Sequence, residues 1–145
     1  MQCFLLFRQP KAFNGWKKLN SKGQAYRRDI RAAYSRYYGT PTALPGDLYG
    51  VVYYFYNKDT GTDADNISKP VWDCLTDFLY QDDKQVKLRV AACYDLTKNQ
   101  LADLDVTGLP SDILPELLEA LDQEPYVIYI ECGTFNKNMM RFNLE

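Results

Sequence analysis

The strongest constraint on the fold of this chain is a strand–helix–strand pattern near its middle. Residues 48–56 are almost all β-branched or aromatic, which is typical of a buried strand. After a polar loop, apolar residues recur at helical spacing and predict an amphipathic helix over 66–80, with Asp65 as its N-cap. Residues 86–94 then alternate in polarity, which predicts a half-buried strand.

Weaker patterns on either side complete the expected secondary structure. We expect a strand at 4–7, a helix at 22–38 capped by Ser21, a helix at 111–121 and a closing strand at 126–132. In the strand at 86–94, the residues predicted to face the core are Val86, Leu88, Val90 and Ala92. The chain is 145 residues long, so we predict a single α/β or α+β domain over 1–145, with one small mixed sheet and two main helices.

The absence of histidine narrows the chemistry open to this chain. Without an imidazole, neither a Ser-His-Asp nor a Cys-His nucleophile can be built, so an enzyme of this sequence must use carboxylates, lysines, tyrosines or a metal ion. The cysteines are Cys3, Cys74, Cys93 and Cys132. They are widely spaced and lack the pairing of a structural zinc site, so we expect them to be reduced and mostly buried.

Charge is segregated along the chain, although the net charge is only −2. Residues 1–39 carry +8 and residues 40–145 carry −10. Because binding to a polyphosphate needs only one basic face, this distribution allows a nucleic-acid partner. A solvated helix surface explains the same charges equally well.

One group of acidic residues points to a specific chemistry. Asp63 and Asp65 stand two residues apart after the strand at 48–56, and Asp83 follows the next helix. A helix of about 14 residues spans ~21 Å, so the three carboxylates meet only if Asp83 leads into a strand that returns beside the first one. Carboxylates that converge favour a hard cation such as Mg²⁺ or Mn²⁺, which suits phosphodiester hydrolysis. Lys69 stands one turn into the helix, where it can approach a phosphate.

A purely structural explanation of these residues stays open at this point. Asp65 can be an N-cap alone, and Lys69 and Asp73 can be an i,i+4 ion pair. Asp82 and Asp83 can form a polar turn.

The segment around these acids resembles the central signature of the RusA family of Holliday-junction resolvases. It reads Asp63-x-Asp65-Asn66-x-x-Lys69-x-x-x-Asp73-x-Leu75, followed by Asp82-Asp83-x-x-Val86. The similarity extends to Ser21-Lys-Gly23-Gln-Ala-Tyr26 at the start of the first predicted helix. It covers about residues 1–95.

The resemblance implies a RusA-like fold and a Mg²⁺-dependent endonuclease, with Mn²⁺ as an alternative ion. Such an enzyme resolves four-way DNA junctions as a symmetric homodimer, in recombination and repair. By the same resemblance, Asp63, Asp65 and Asp83 are expected to be metal-binding catalytic carboxylates, and Lys69 a catalytic or DNA-contacting lysine. Asn66 and Asp73 are expected to support them. Three features depart from the family pattern: Pro70 follows the lysine directly, the gap between the second and last aspartates is shorter by about one residue, and the acidic segment at 96–125 looks like an insertion.

The basic N-terminal region supplies the expected contacts to the DNA backbone. These are Lys17, Lys18, Arg27, Arg28 and Arg31. Phe13 and Trp16 either stack on an opened junction or anchor the core. The competing functions are a non-catalytic nucleic-acid-binding module of the same fold and a nuclease that acts on other branched DNA.

No apolar run has the length of a secretory leader or of a membrane span. We therefore expect no membrane association and a cytoplasmic protein. The family resemblance favours a bacterial or phage origin.

Overall fold

The computed structural model describes residues 1–11 and 21–144. They form an α+β fold in which one mixed four-stranded sheet packs with three α-helices. The strands are β1 (Gln2–Leu6), β2 (Leu48–Tyr56), β3 (Val86–Asp95) and β4 (Tyr126–Thr134), and the helices are α1 (Ser21–Tyr38), α2 (Ala64–Leu75) and α3 (Leu114–Gln123). The predicted fold class and element order are confirmed. Ser21, predicted as an N-cap, lies within α1 instead.

The order of the strands in the sheet is β1-β4-β2-β3. β4 runs antiparallel to both of its neighbours, whereas β3 runs parallel to β2. The helix α2 makes the crossover that two parallel neighbouring strands require. Consequently β2 and β3 end at the same edge of the sheet, beside the loop that leads into α2.

The edge strand β3 does not keep the predicted alternation. Its pairing with β2 shifts by one residue at Lys87. Such a bulge exchanges the two faces of the strand beyond it. As a result Ala91 and Cys93 pack against the core beneath α1 and α2, while Val90, on the other face, is 38% exposed. The predicted inward set of Val86, Leu88, Val90 and Ala92 is therefore wrong from Leu88 onward.

The sheet buries a hydrophobic core on each face. One core lies beneath α1 and α2, and the other lies beneath α3 and the segment before it. In the first core, a Cβ built on Gly50 would stand 2.2 Å from the fully buried ring of Trp72, so only glycine leaves room for the indole. This close approach fixes α2 on the sheet, and with it the turns at both helix ends.

The helix α2 ends at residue 75, not at residue 80 as predicted. The backbone N–H and the hydroxyl of Thr76 both donate to the carbonyl oxygen of Trp72, and Asp77 then adopts a left-handed φ of 61°. A residue in that conformation does not continue a right-handed helix. Leu79 is nevertheless fully buried, which explains why the apolar periodicity extended the prediction too far.

None of the helices within residues 1–11 and 21–144 combines the length and the apolar character needed to cross a membrane.

Candidate active site

The turn between β2 and α2 presents two of the predicted catalytic carboxylates. Asp63 is the N-cap of α2, and its Oδ1 accepts a hydrogen bond of 2.9 Å from the backbone N–H of Asn66. Asp65 lies in the first turn of the helix, so the prediction that it caps α2 is wrong by two residues. The cap moves because Asp63, not Asp65, stands three residues before an unpaired N–H group. Both aspartates are exposed to solvent at the positive end of the helix dipole.

Lys69 forms an ion pair within α2. Its Nζ donates to Oδ2 of Asp73 at 2.7 Å, one turn further along the helix. The Lys69 side chain is 61% exposed, whereas that of Asp73 is only 16% exposed. The ion pair predicted as the structural explanation is therefore present. The ammonium group is nevertheless accessible to a phosphate. The catalytic role of Lys69 stays a prediction.

Asp82 and Asp83 have different surroundings. Asp82 caps the short 3-10 turn before β3, and its Oδ1 accepts a hydrogen bond from the backbone N–H of Lys84. That bond, together with one to Asp83, holds the pKa of Asp82 below its usual range. The Gln85 side chain completes a capping box by accepting from the Asp82 backbone N–H. Asp82 thus has a structural task, and Asp83 stands exposed as the first residue of the turn.

A cavity of about 460 Å³ brings Asp83 together with Lys69. Asp73 and Asp77 contribute further carboxylates to its wall. Two arginines from α1, Arg27 and Arg31, complete the charged lining. Two of the four predicted catalytic residues therefore share one cavity, which contains both acidic and basic groups.

Asp63 lies at the opposite end of α2. The carbonyl oxygen of the preceding residue, Thr62, accepts a hydrogen bond from the Sγ of Cys93, near the end of β3. Burial raises the pKa of the Cys93 thiol, and the charge of Asp63 adds to the effect. Asp63 therefore stands beside the end of β3, whereas Asp83 stands just before its start.

The expected convergence of Asp63, Asp65 and Asp83 is not found within one chain. Across residues 1–11 and 21–144, no three His, Cys, Asp or Glu side chains are grouped so that they could hold a metal ion. The reason is the strand direction: β3 does return beside β2, but in parallel, so it brings its end to Asp63 and leaves Asp83 behind. The 12 residues of α2 separate the two sites by ~18 Å. The catalytic and metal-binding roles of these residues stay predictions.

The structure gives Arg31 a clear structural role. Its Nε donates to the carbonyl oxygen of Cys74 at 2.9 Å, and one terminal nitrogen donates to that of Thr76 at 3.1 Å. These carbonyls belong to the end of α2, where helix acceptors lack partners of their own. The guanidinium also lies 5.0 Å from the ring centroid of Phe78. Partial burial, aided by nearby Arg27, lowers the pKa of Arg31.

Arg27 and Arg31 also line a neighbouring open groove along α1, which includes Arg28. Three of the five predicted DNA-contacting residues therefore share a basic groove that adjoins the cavity of Lys69 and Asp83. The remaining two, Lys17 and Lys18, lie outside the described residues, as do Phe13 and Trp16.

Asp77, which the structure places in the cavity wall, belongs to no sequence motif that would predict a functional role. Its positive φ is uncommon for a residue other than glycine, although aspartate tolerates it better than most. Its backbone N–H donates to the carbonyl oxygen of Tyr80 at 2.8 Å, which holds the turn in place.

A family comparison bears on this arrangement. The model of the family described as Endodeoxyribonuclease RusA matches residues 7–102. The chain belongs to the RusA family. The matched region contains α1, β2, α2 and β3, and with them all four predicted catalytic residues. Comparison with curated proteins finds no match.

Membership in the RusA family confirms the resemblance seen in the sequence. At the level of the family, it assigns the chain to the endonucleases that act on DNA junctions. The region outside the match contains α3 and β4, so the core beneath α3 is formed largely by residues that the family model does not cover.

Proposed function

We propose that this chain is a Mg²⁺-dependent endodeoxyribonuclease that resolves four-way DNA junctions as a homodimer. Mn²⁺ is the alternative ion, and the setting is recombination and repair in a bacterial or phage-infected cytoplasm. The observation that carries the proposal is the RusA family match over a region that retains Asp63, Asp65, Lys69 and Asp83.

The charge distribution supports a path for the DNA backbone. Arg27 and Arg31 line both the groove along α1 and the cavity of Lys69 and Asp83. A phosphate backbone held in this groove by Arg28 and its neighbours would lead directly to the Lys69 ammonium. The Lys69 side chain is largely exposed, so its ammonium group can contact a phosphate and stabilise negative charge there without a rearrangement of the core.

The chemistry of the acidic residues suits Mg²⁺, because all of them offer only oxygen ligands. The geometry of one chain does not fit a site built from Asp63, Asp65 and Asp83 together, since no such group forms in the described part of the chain. When bound, such an ion would supply an activated water and a positive charge at the phosphate. We therefore expect the complete site to need more than one subunit.

The decisive experiment is nicking of a synthetic four-way junction by wild type and Asp65→Asn, with and without Mg²⁺. We expect wild type to cut only with the ion, and Asp65→Asn to lose activity by about 100-fold or more, as groups that stabilise transition-state charge commonly do. Asp122→Asn is the matched control, because Asp122 is an exposed aspartate on α3, outside the family match. It should cut as wild type does.

The choice of DNA separates the competing functions. If neither Mg²⁺ nor Mn²⁺ supports cleavage of any DNA, the chain is a binding module and not an enzyme. If flaps or linear duplex are cut while four-way junctions are not, the chain is a nuclease but not a junction resolvase.

A further inference from the structure

A second cavity lies on the sheet face opposite to α1 and α2. Its volume is about 330 Å³, and its floor is formed by side chains of β2 and β4, including Val51, Phe55 and Tyr129. The segment before α3 forms the opposite wall through Leu104 and Leu109. This cavity is separated from the candidate active site by the whole thickness of the sheet, and the RusA family match covers only part of its lining.

The cavity is largely apolar but contains a carboxylate with an unusual setting. The two oxygens of Glu131 accept hydrogen bonds from the hydroxyls of Tyr49 at 2.7 Å and Tyr129 at 2.5 Å. Burial raises the pKa of both tyrosines, so they remain protonated donors and hold the carboxylate in one orientation. No salt bridge joins Glu131 to a basic group anywhere in residues 1–11 and 21–144.

A second acidic group, Asp105, is exposed to solvent at the rim of the cavity and adds to its negative potential. Asp105 accepts hydrogen bonds from the hydroxyl of Thr107 at 2.7 Å and from its backbone N–H at 3.0 Å. These bonds hold the pKa of Asp105 below its usual range, so it is anionic at neutral pH. Among the described residues that line the cavity, there is no lysine or arginine. Met1, which carries the N-terminal ammonium group, also lines the cavity, but among the described residues it forms no salt bridge with Glu131 or Asp105. An apolar space whose carboxylates are not paired with a cation favours a ligand that is itself cationic.

Aromatic rings in the cavity favour the same class of ligand. The ring of Tyr53 is stacked on that of Tyr129, with centroids 6.0 Å apart and planes inclined by 20°. Ring faces attract organic ammonium groups, and the attraction grows when the site is shielded from water. We propose that this cavity binds a small organic cation with an apolar body, such as an aromatic primary amine, with its ammonium group at Glu131.

The experiment compares 2-phenylethylamine with 2-phenylethanol, which has nearly the same shape but no charge. Binding to the full chain is followed by methyl NMR of Leu104, Val106 and Leu117, which line the cavity. We expect saturable shifts at these methyl groups, and a dissociation constant for the amine about tenfold lower than for the alcohol, which corresponds to one charge-assisted contact. Glu131→Gln should remove the preference for the amine. Glu119→Gln, an exposed glutamate on α3, should retain it.

A salt titration of the wild type gives a test that needs no variant. Raising the ionic strength should weaken binding of the amine and leave that of the alcohol nearly unchanged. The proposal is overturned if the cavity methyls show no saturable shift at about 10 mM amine, a concentration that would reveal even millimolar affinity. Equal affinities for the amine and the alcohol in the wild type, or an amine preference that survives in Glu131→Gln, would overturn it as well.

Discussion

Gly50 shows how one residue determines the position of the helix that carries the candidate site. A methyl group added here would lie 2.2 Å from the ring of Trp72, which is fully buried and cannot move into solvent. We expect Gly50→Ala to lower the free energy of unfolding by about 1–3 kcal/mol, the usual cost of overpacking a core. Chemical denaturation followed by circular dichroism measures the change.

Gly108 offers the matched control for this substitution. A Cβ at Gly108 would meet no atom within 4 Å, and its φ is not in the left-handed region. Gly108→Ala should therefore leave the unfolding midpoint nearly unchanged. Adding Trp72→Phe to Gly50→Ala should recover part of the lost stability, because the smaller ring vacates the space. Equal stability of the two alanine variants would contradict the proposed contact.

At the same scale, the sequence predicted the residue types of the candidate site and the Lys69–Asp73 ion pair, but not which aspartate caps α2. The sequence identified Asp63, Asp65 and Lys69 through their spacing and the family resemblance. It assigned the helix cap to Asp65, although Asp63 performs it, because either aspartate satisfies the preference for a cap. Only the backbone conformation at the start of α2 distinguishes the two.

At the scale of elements, Arg31 joins α1 to the end of α2. Its guanidinium donates to two carbonyl groups there, at residues 74 and 76. We expect Arg31→Ala to destabilise the fold by about 1–3 kcal/mol, because these acceptors lose a charged donor. Arg28→Ala should leave stability unchanged, since Arg28 is exposed on the same helix. Thermal unfolding of the two variants measures the difference.

Arg28, whose loss should not affect stability, should instead affect DNA binding. If the groove along α1 holds phosphates, Arg28→Ala weakens junction binding without unfolding the protein and reduces the salt dependence of the affinity by about one charge. A variant with normal affinity and an unchanged salt slope would exclude Arg28 from the DNA path.

The edge strand β3 shows why some element details escape sequence patterns. Its existence follows from the alternation over 86–94, and the structure confirms it. The alternation cannot reveal the bulge at Lys87, because the four residues from Val90 to Cys93 are small or apolar on both faces of the strand. The position of the bulge depends on the pairing with β2, which is a contact between segments about 40 residues apart in the chain.

At the scale of the whole molecule, the fold class and the order of elements were predictable from the sequence. The distance between the three carboxylates was not. Periodicity predicts strands and helices one at a time. It does not say that β3 pairs with β2 in parallel, which is what leaves Asp83 at the far end of α2 from Asp65. We therefore propose that, with α2 in place, a site that uses all three carboxylates takes them from two chains.

Mixed dimers provide the test of such a shared site. In a two-fold symmetric dimer, Asp65 of one chain would then face Asp83 of the other. When Asp65→Asn and Asp83→Asn chains are co-expressed, each mixed dimer would contain one site with both substitutions and one intact site. We expect the mixture to recover about one quarter of wild-type nicking, since random pairing makes half of the dimers mixed and each retains one of two sites. The measurement is nicking of the four-way junction by the purified mixture.

A mixture of Asp63→Asn and Asp65→Asn chains is the control and should recover nothing, because these residues occupy the same turn of one chain and every site then loses a carboxylate. If the first mixture is no more active than its separate components, the three carboxylates act within one chain, and α2 must move when DNA binds.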